Sequence, residues 1–149
     1  MSAISFIMVK DNVSPALKRL SDPALITKAT LAAGTALLSL STRAFDEPGL
    51  RAAPWPQRKP SKATNPLLIK SGTLRQSGHV EMQGADTVKV GYPPPYAAVH
   101  QLGSSKSSGR GSGIPPRPFF PVISGELTGT AAELIGDAVD VVIRGAALG

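Results

Sequence analysis

The chain has 149 residues, about the length of a single domain, with 42% hydrophobic and 17% charged residues. That is apolar enough to bury a core and too weakly charged for wholesale disorder. There is no cysteine, which excludes disulfide frameworks, thiolate zinc sites and cysteine catalysis.

The net charge of +6 is unevenly placed. Residues 1–50 carry five Lys/Arg against four Asp/Glu, residues 51–117 ten against two, and residues 118–149 one against four. The basic middle also holds nine of the fourteen prolines, so the positive charge sits on loops. Such a segment faces either solvent or an acidic partner, nucleic acid included. No basic n-region precedes the apolar start, and Lys10 and Asp11 soon interrupt it, so no signal peptide is expected. The longest apolar candidate, residues 29–40, is broken by Thr30, Gly34, Thr35 and Ser39, so no membrane span is expected.

In chain order, residues 3–9 read as a buried strand. Ser14-Pro15 opens a short helix to Leu20. Asp22-Pro23 opens a longer one, with Leu25, Ala29, Ala32, Ala36, Leu37 and Leu40 on one stripe. It should run to about Phe45, where Glu47-Pro48-Gly49 stops it. Residues 46–66 are a Pro-rich loop with Trp55 as its anchor. Residues 71–77 form a short helix or turn. Residues 79–83 and 87–92 alternate as strands, joined through Gly84-Ala85-Asp86 as a hairpin. Pro93-Pro94-Pro95 is a stiff extended piece. Residues 96–102 form a short helix that Gly103 ends. Residues 104–113 are a Gly/Ser linker carrying the basic pair Lys106 and Arg110. Residues 130–147 form an amphipathic helix with Leu134, Ala138, Val141 and Val142 on its apolar stripe. Glu133, Asp137 and Asp140 then face solvent. The expected fold is α+β: an antiparallel sheet packed by one long helix and a C-terminal helix, with long Pro/Gly-rich loops, in one domain over residues 1–149.

No catalytic pattern stands out. His79 and His100 lack a spaced carboxylate or cysteine partner, and a zinc site needs a third ligand. No serine lies in a nucleophile elbow. Residues 109–113 lack the pattern of a phosphate loop. No catalytic residue, metal or cofactor is expected.

The order of motifs is more informative than any one of them. A long helix ends in Arg43-Ala44-Phe45, and a loop carries Trp55-Pro56. Next come Leu68-Ile69-Lys70-Ser71-Gly72-Thr73-Leu74-Arg75-Gln76-Ser77, the hairpin, and Tyr96-Ala97-Ala98-Val99-His100-Gln101-Leu102-Gly103. Ile114-Pro115-Pro116-Arg117-Pro118-Phe119-Phe120 closes the series. This succession resembles the virion morphogenesis, or tail completion, family of tailed bacteriophages, which includes the Mu-like G proteins. The resemblance covers roughly residues 15–125.

The resemblance implies a structural virion protein, not an enzyme. It implies a protein that completes or terminates the tail and helps form the head–tail junction. The fold it implies is tail-terminator-like, assembled as a homo-oligomer, a hexameric ring with a lumen for genomic DNA. The implied partners are the tail tube protein and head-side neck or connector proteins, without a membrane. The implied location is the virion, after synthesis in the host bacterial cytoplasm. A head-side stopper ring is the neighbouring alternative, and a basic nucleic-acid-binding module a more distant one. Trp55, Leu74, Arg75, Tyr96, His100, Gln101, Arg117 and Phe119 are the residues expected to pack the motifs together or against a neighbouring subunit. Arg117, between two prolines, is expected to seek a carboxylate or carbonyl on a neighbouring subunit.

Overall fold

The computed structural model describes residues 13–60, 62–105 and 113–148. The strand expected over residues 3–9 lies outside them, as do Lys106 and Arg110. Five α-helices and two small antiparallel hairpins follow one another in the described chain.

α1 (Val13–Leu20) begins two residues ahead of the expected start. α2 (Pro23–Arg43) starts as its sequence dictates. The Asp22 side chain accepts a hydrogen bond from the Ala24 N–H at 3.0 Å, and Pro23 fills the first turn. Its expected stripe is the inward one: Leu25 and Leu40 are buried, and Ala29, Ala32, Ala36 and Leu37 are partly so. α2 is long and apolar enough by length and composition to cross a membrane, with a mean hydropathy of 1.4. The expectation that no stretch would qualify therefore fails on that measure. In this fold one side of the helix is packed by both strands of the first hairpin and by the C-terminal helix, while Ile26 and Leu31 stay exposed.

A 3₁₀ turn (Pro48–Leu50) and the one-turn α3 (Thr73–Gln76) punctuate the next loop. β1 (His79–Met82) and β2 (Val88–Gly91) pair antiparallel, with His79 opposite Gly91 and Met82 opposite Val88. This is the expected hairpin, one residue shorter on its open side and at its turn. It crosses α2 at Gly34. A Cβ added there would sit 2.5 Å from Val88 Cγ2, so only glycine allows the approach. α4 (Tyr96–Leu102) ends at Gly103. Pro95 is already in the helical region (φ −63°, ψ −23°), so the proline run turns into α4 rather than staying extended.

A second hairpin was not anticipated. β3 (Val122–Ile123) and β4 (Glu126–Leu127) pair across Ser124-Gly125, both at positive φ (51° and 83°). That is the backbone twist a two-residue hairpin loop requires. α5 (Gly129–Leu148) then packs on α2 and α1 rather than on a sheet, which corrects the expected placement of the C-terminal helix. Its inward side is also rotated from the expected stripe. Ala131 is buried, and Ile135, Ala138, Val139, Val142 and Ala146 are partly buried, while Leu134 and Val141 are exposed. Arg19 of α1 closes the last turn of α5, donating to the carbonyls of Ala146 (3.0 Å) and Ala147 (2.7 Å).

Candidate functional site

The motif residues meet on one side of the molecule. Gly103 (φ +77°) lets the chain double back after α4, and a Cβ there would lie 2.9 Å from the Ile114 carbonyl. The Ser104 N–H donates to Ile114 O at 2.9 Å, and the Arg117 N–H donates to His100 O at 2.7 Å. Residues 114–120 thus run back along α4. Gln101 holds them there. Its Oε1 accepts from the N–H groups of Phe119 (2.9 Å) and Phe120 (3.0 Å), two donors that no strand or helix satisfies.

This return drives Phe119 into the core, where it is 1% exposed. It packs with Phe45, Trp55, Leu74 and Ala97, and Tyr92 and Phe120 lie against the cluster. Phe119 meets the Tyr92 ring edge-on at 4.9 Å and lies 5.3 Å from Phe45. Trp55 meets Phe45 edge-on at 5.9 Å. The Trp55 indole N–H donates to Pro118 O at 2.8 Å. Arg51 stacks its guanidinium 3.7 Å over the Trp55 ring and donates to the carbonyls of Ala44 (2.7 Å) and Phe45 (3.1 Å) just beyond α2. Tyr92 extends its hydroxyl to Ser41 Oγ at 2.9 Å, giving that fully buried side chain a partner.

Arg117 donates through Nε to Pro56 O (2.9 Å) and through Nη2 to Gln57 O (3.3 Å). Its carbonyl partners come from this chain's own proline-rich loop, which corrects the expectation of a partner on a neighbouring subunit, because the folded loop brings Pro56 and Gln57 to it. Arg75 pairs with Asp46 at 2.6 Å, tying α3 to the end of α2. Tyr96 is 43% exposed and meets His100 edge-on at 6.0 Å. The Nδ1 of His100 is buried and lacks a hydrogen-bond partner among the described residues. Burial, and then the Arg117 charge, lower the pKa of His100.

Beside this node lies a cleft of about 780 Å³. Leu67, Leu68, Leu74 and Tyr96 give it apolar walls, and Arg58, Lys59, Lys70 and Arg117 give it four cations. No carboxylate lines it among the described residues. Leu68 holds a left-handed φ of 62°, a strained conformation kept by its packing against the aromatic cluster. Arg58 and Arg117 are tied to backbone carbonyls, whereas Lys59 and Lys70 make no ion pair among the described residues.

No group of three or more His, Asp or Glu able to hold a metal is present among the described residues. His79 opens β1 on its exposed face. The arrangement fastens loops; it does not assemble a nucleophile, a base and an oxyanion hole.

The model of the phage virion morphogenesis family matches residues 9–143. The chain belongs to that family. Its role is a structural one in phage virion morphogenesis rather than an enzymatic one. No curated protein and no solved structure matches it.

Within this family member, Trp55, Leu74 and Phe119 are buried in the node, Gln101 and Arg117 fasten its loops, and Arg75 fastens α3. Tyr96 and His100 line the cleft. Phe45, Arg51 and Tyr92 belong to the same node but were not among the residues singled out from sequence. Tyr92 directly follows β2 and is the last position of the alternating run read over residues 87–92, a signal of one inward face. Arg51 carries no sequence signal, since its ring partner and carbonyls come together only through the turn after α2.

Proposed function

We propose that this protein completes or terminates the phage tail and helps form the head–tail junction, as a hexameric ring with a lumen that passes genomic DNA. Its partners on this reading are further copies of itself, the tail tube protein and head-side neck proteins. Family membership supplies the virion setting.

The observation that carries the assembly reading is the balance of apolar side chains. Among the described residues, nine apolar residues are buried, three of them alanines, whereas eleven large apolar residues are exposed. Among these, Leu102, Val141 and Leu148 are 76%, 71% and 87% exposed. Scattered exposed leucines are ordinary, but large apolar side chains as exposed as these, recurring on several elements of the described residues, are surface suited to cover in an assembly. A ring built from one chain needs two different contact faces per subunit. The apolar residues fit that need, since they are spread over α1, α2, α4, α5 and the second hairpin.

The test is a phage lacking the protein. Filled heads and unjoined tails should accumulate, and purified protein should restore joining when added to the tails. Restoration only by pre-incubation with heads would move the protein to the head side. Normal joining without it would overturn the reading.

A further inference from the structure

We infer that the cationic cleft beside α4 receives the outer face of α5 from a second copy of this chain. The inference rests on the self-assembly reading above and adds which surfaces meet.

The cleft has apolar walls and a cationic rim. Of its cations, Lys59 and Lys70 are unpaired among the described residues, and no carboxylate among those residues neutralises them. It asks for a partner that is apolar along its middle and acidic at its side. A nucleic-acid backbone would satisfy the cations and leave Leu67 and Leu68 facing a polar chain.

The outer face of α5 has the required pattern. Leu134, Val141 and Leu148 recur every seven residues, which places them on one stripe of the helix. They are 40%, 71% and 87% exposed and are not part of the side packed on α2. Glu133 and Asp137 flank that stripe, both exposed, and Arg144 on the same flank is paired with Asp140 at 2.6 Å, so the flank keeps a net negative charge. The charge division of the whole chain has the same sense, with the excess of Lys/Arg over residues 51–117 and the excess of Asp/Glu over residues 118–149.

The two surfaces lie on different elements, so a copy using its cleft still offers its α5. The contact is heterologous, and repetition of it gives a ring if the rotation closes. Opposite charges across it fix register and discourage a reversed arrangement.

The test uses the full chain with charge reversals at exposed positions. Lys59→Glu with Lys70→Glu reverses the cleft, and Glu133→Lys with Asp137→Lys reverses the helix. Association is read by sedimentation over a range of concentrations, with circular dichroism to verify folding. Each pair should weaken association at least tenfold, and the four changes together should restore most of it. Because the chain has no cysteine, Lys70→Cys and Val141→Cys chains can also be mixed. Disulfide-linked dimers should then form in the mixture in preference to either chain alone. An assembly that forms normally in both reversed variants and gives no mixed cross-link would overturn the contact while leaving the ring reading intact. A wild-type chain that never associates would overturn both. Loss of duplex DNA binding in the cleft variant, with assembly unchanged, would overturn the contact and make the cleft a nucleic-acid site.

Discussion

The indole N–H of Trp55 donates to the carbonyl of Pro118 at 2.8 Å, joining two proline-rich loops 63 residues apart. Neither loop can form a ladder of its own, because proline lacks the donor. One side-chain donor therefore does what a strand pairing would otherwise do. The ring below it packs edge-on against Phe45, so the same residue supplies both the apolar contact and the polar tie.

Trp55→Phe should keep much of the packing and lose the hydrogen bond, at a cost of about 1–3 kcal/mol for the carbonyl left unpaired. Trp55→Ala should cost about 3–5 kcal/mol, because the cavity term is added. Trp55 is the sole tryptophan, so urea unfolding of these variants is followed by circular dichroism. Equal losses for both would mean that the packing of the ring adds nothing beyond the hydrogen bond.

Gln101 separates acceptor from donor. Gln101→Leu leaves the Phe119 and Phe120 N–H groups without their acceptor and should cost about 2–4 kcal/mol. Gln101→Glu retains an acceptor for both and should lose markedly less, read by Trp55 fluorescence in urea. A larger loss for the Glu variant would show that the 3.4 Å donation to Phe120 O matters more than the two acceptances.

Two helical glycines should respond oppositely to one substitution. Gly136 lies in α5 with nothing within 4 Å of an added Cβ, so Gly136→Ala should stabilise by about 0.5–1 kcal/mol through helix propensity. At Gly34 the same gain meets Val88 at 2.5 Å, a stiff β-branched side chain. Gly34→Ala should destabilise by about 1–2 kcal/mol net, since overpacking costs about 1–3 kcal/mol. Thermal melts of the two variants should move in opposite directions.

His100 adds a pH dependence. Its pKa is lowered by burial first and by Arg117 second, so the unfolded chain binds the proton more tightly. Stability from this group is complete above the ordinary imidazole value of 6.5 and is lost as pH falls from there towards the folded-state value. His100→Gln should flatten the slope of stability against pH in that window. An imidazole signal titrating at or above 6.5 in the folded protein would contradict this.

Much of the fold was legible where chemistry is local. Asp22-Pro23 marks a helix start because cap and ring act within one turn, and Gly103 marks a stop for the same reason. The first hairpin was legible from its alternation. The second is not legible, although Ser124-Gly125 is a turn dipeptide, because two-residue strands leave no period to read. The stripe of α5 was misplaced because Leu134, Ile135, Val139, Val141, Val142 and Ile143 are apolar in several directions around the helix. Only packing on α2 decides which of them turn inward. The tie from Gln101 was hidden for another reason: an amide side chain carries no sign of which backbone will return to it. The cleft's cations come from residues 58 to 117, and only the fold makes them neighbours.

The measurement that bears most directly on the assembly reading is the mass of the purified chain in solution, by native mass spectrometry, with and without tail tubes. A hexamer, alone or only on tube ends, is the predicted result. A monomer at every concentration that also ignores tube ends would contradict it.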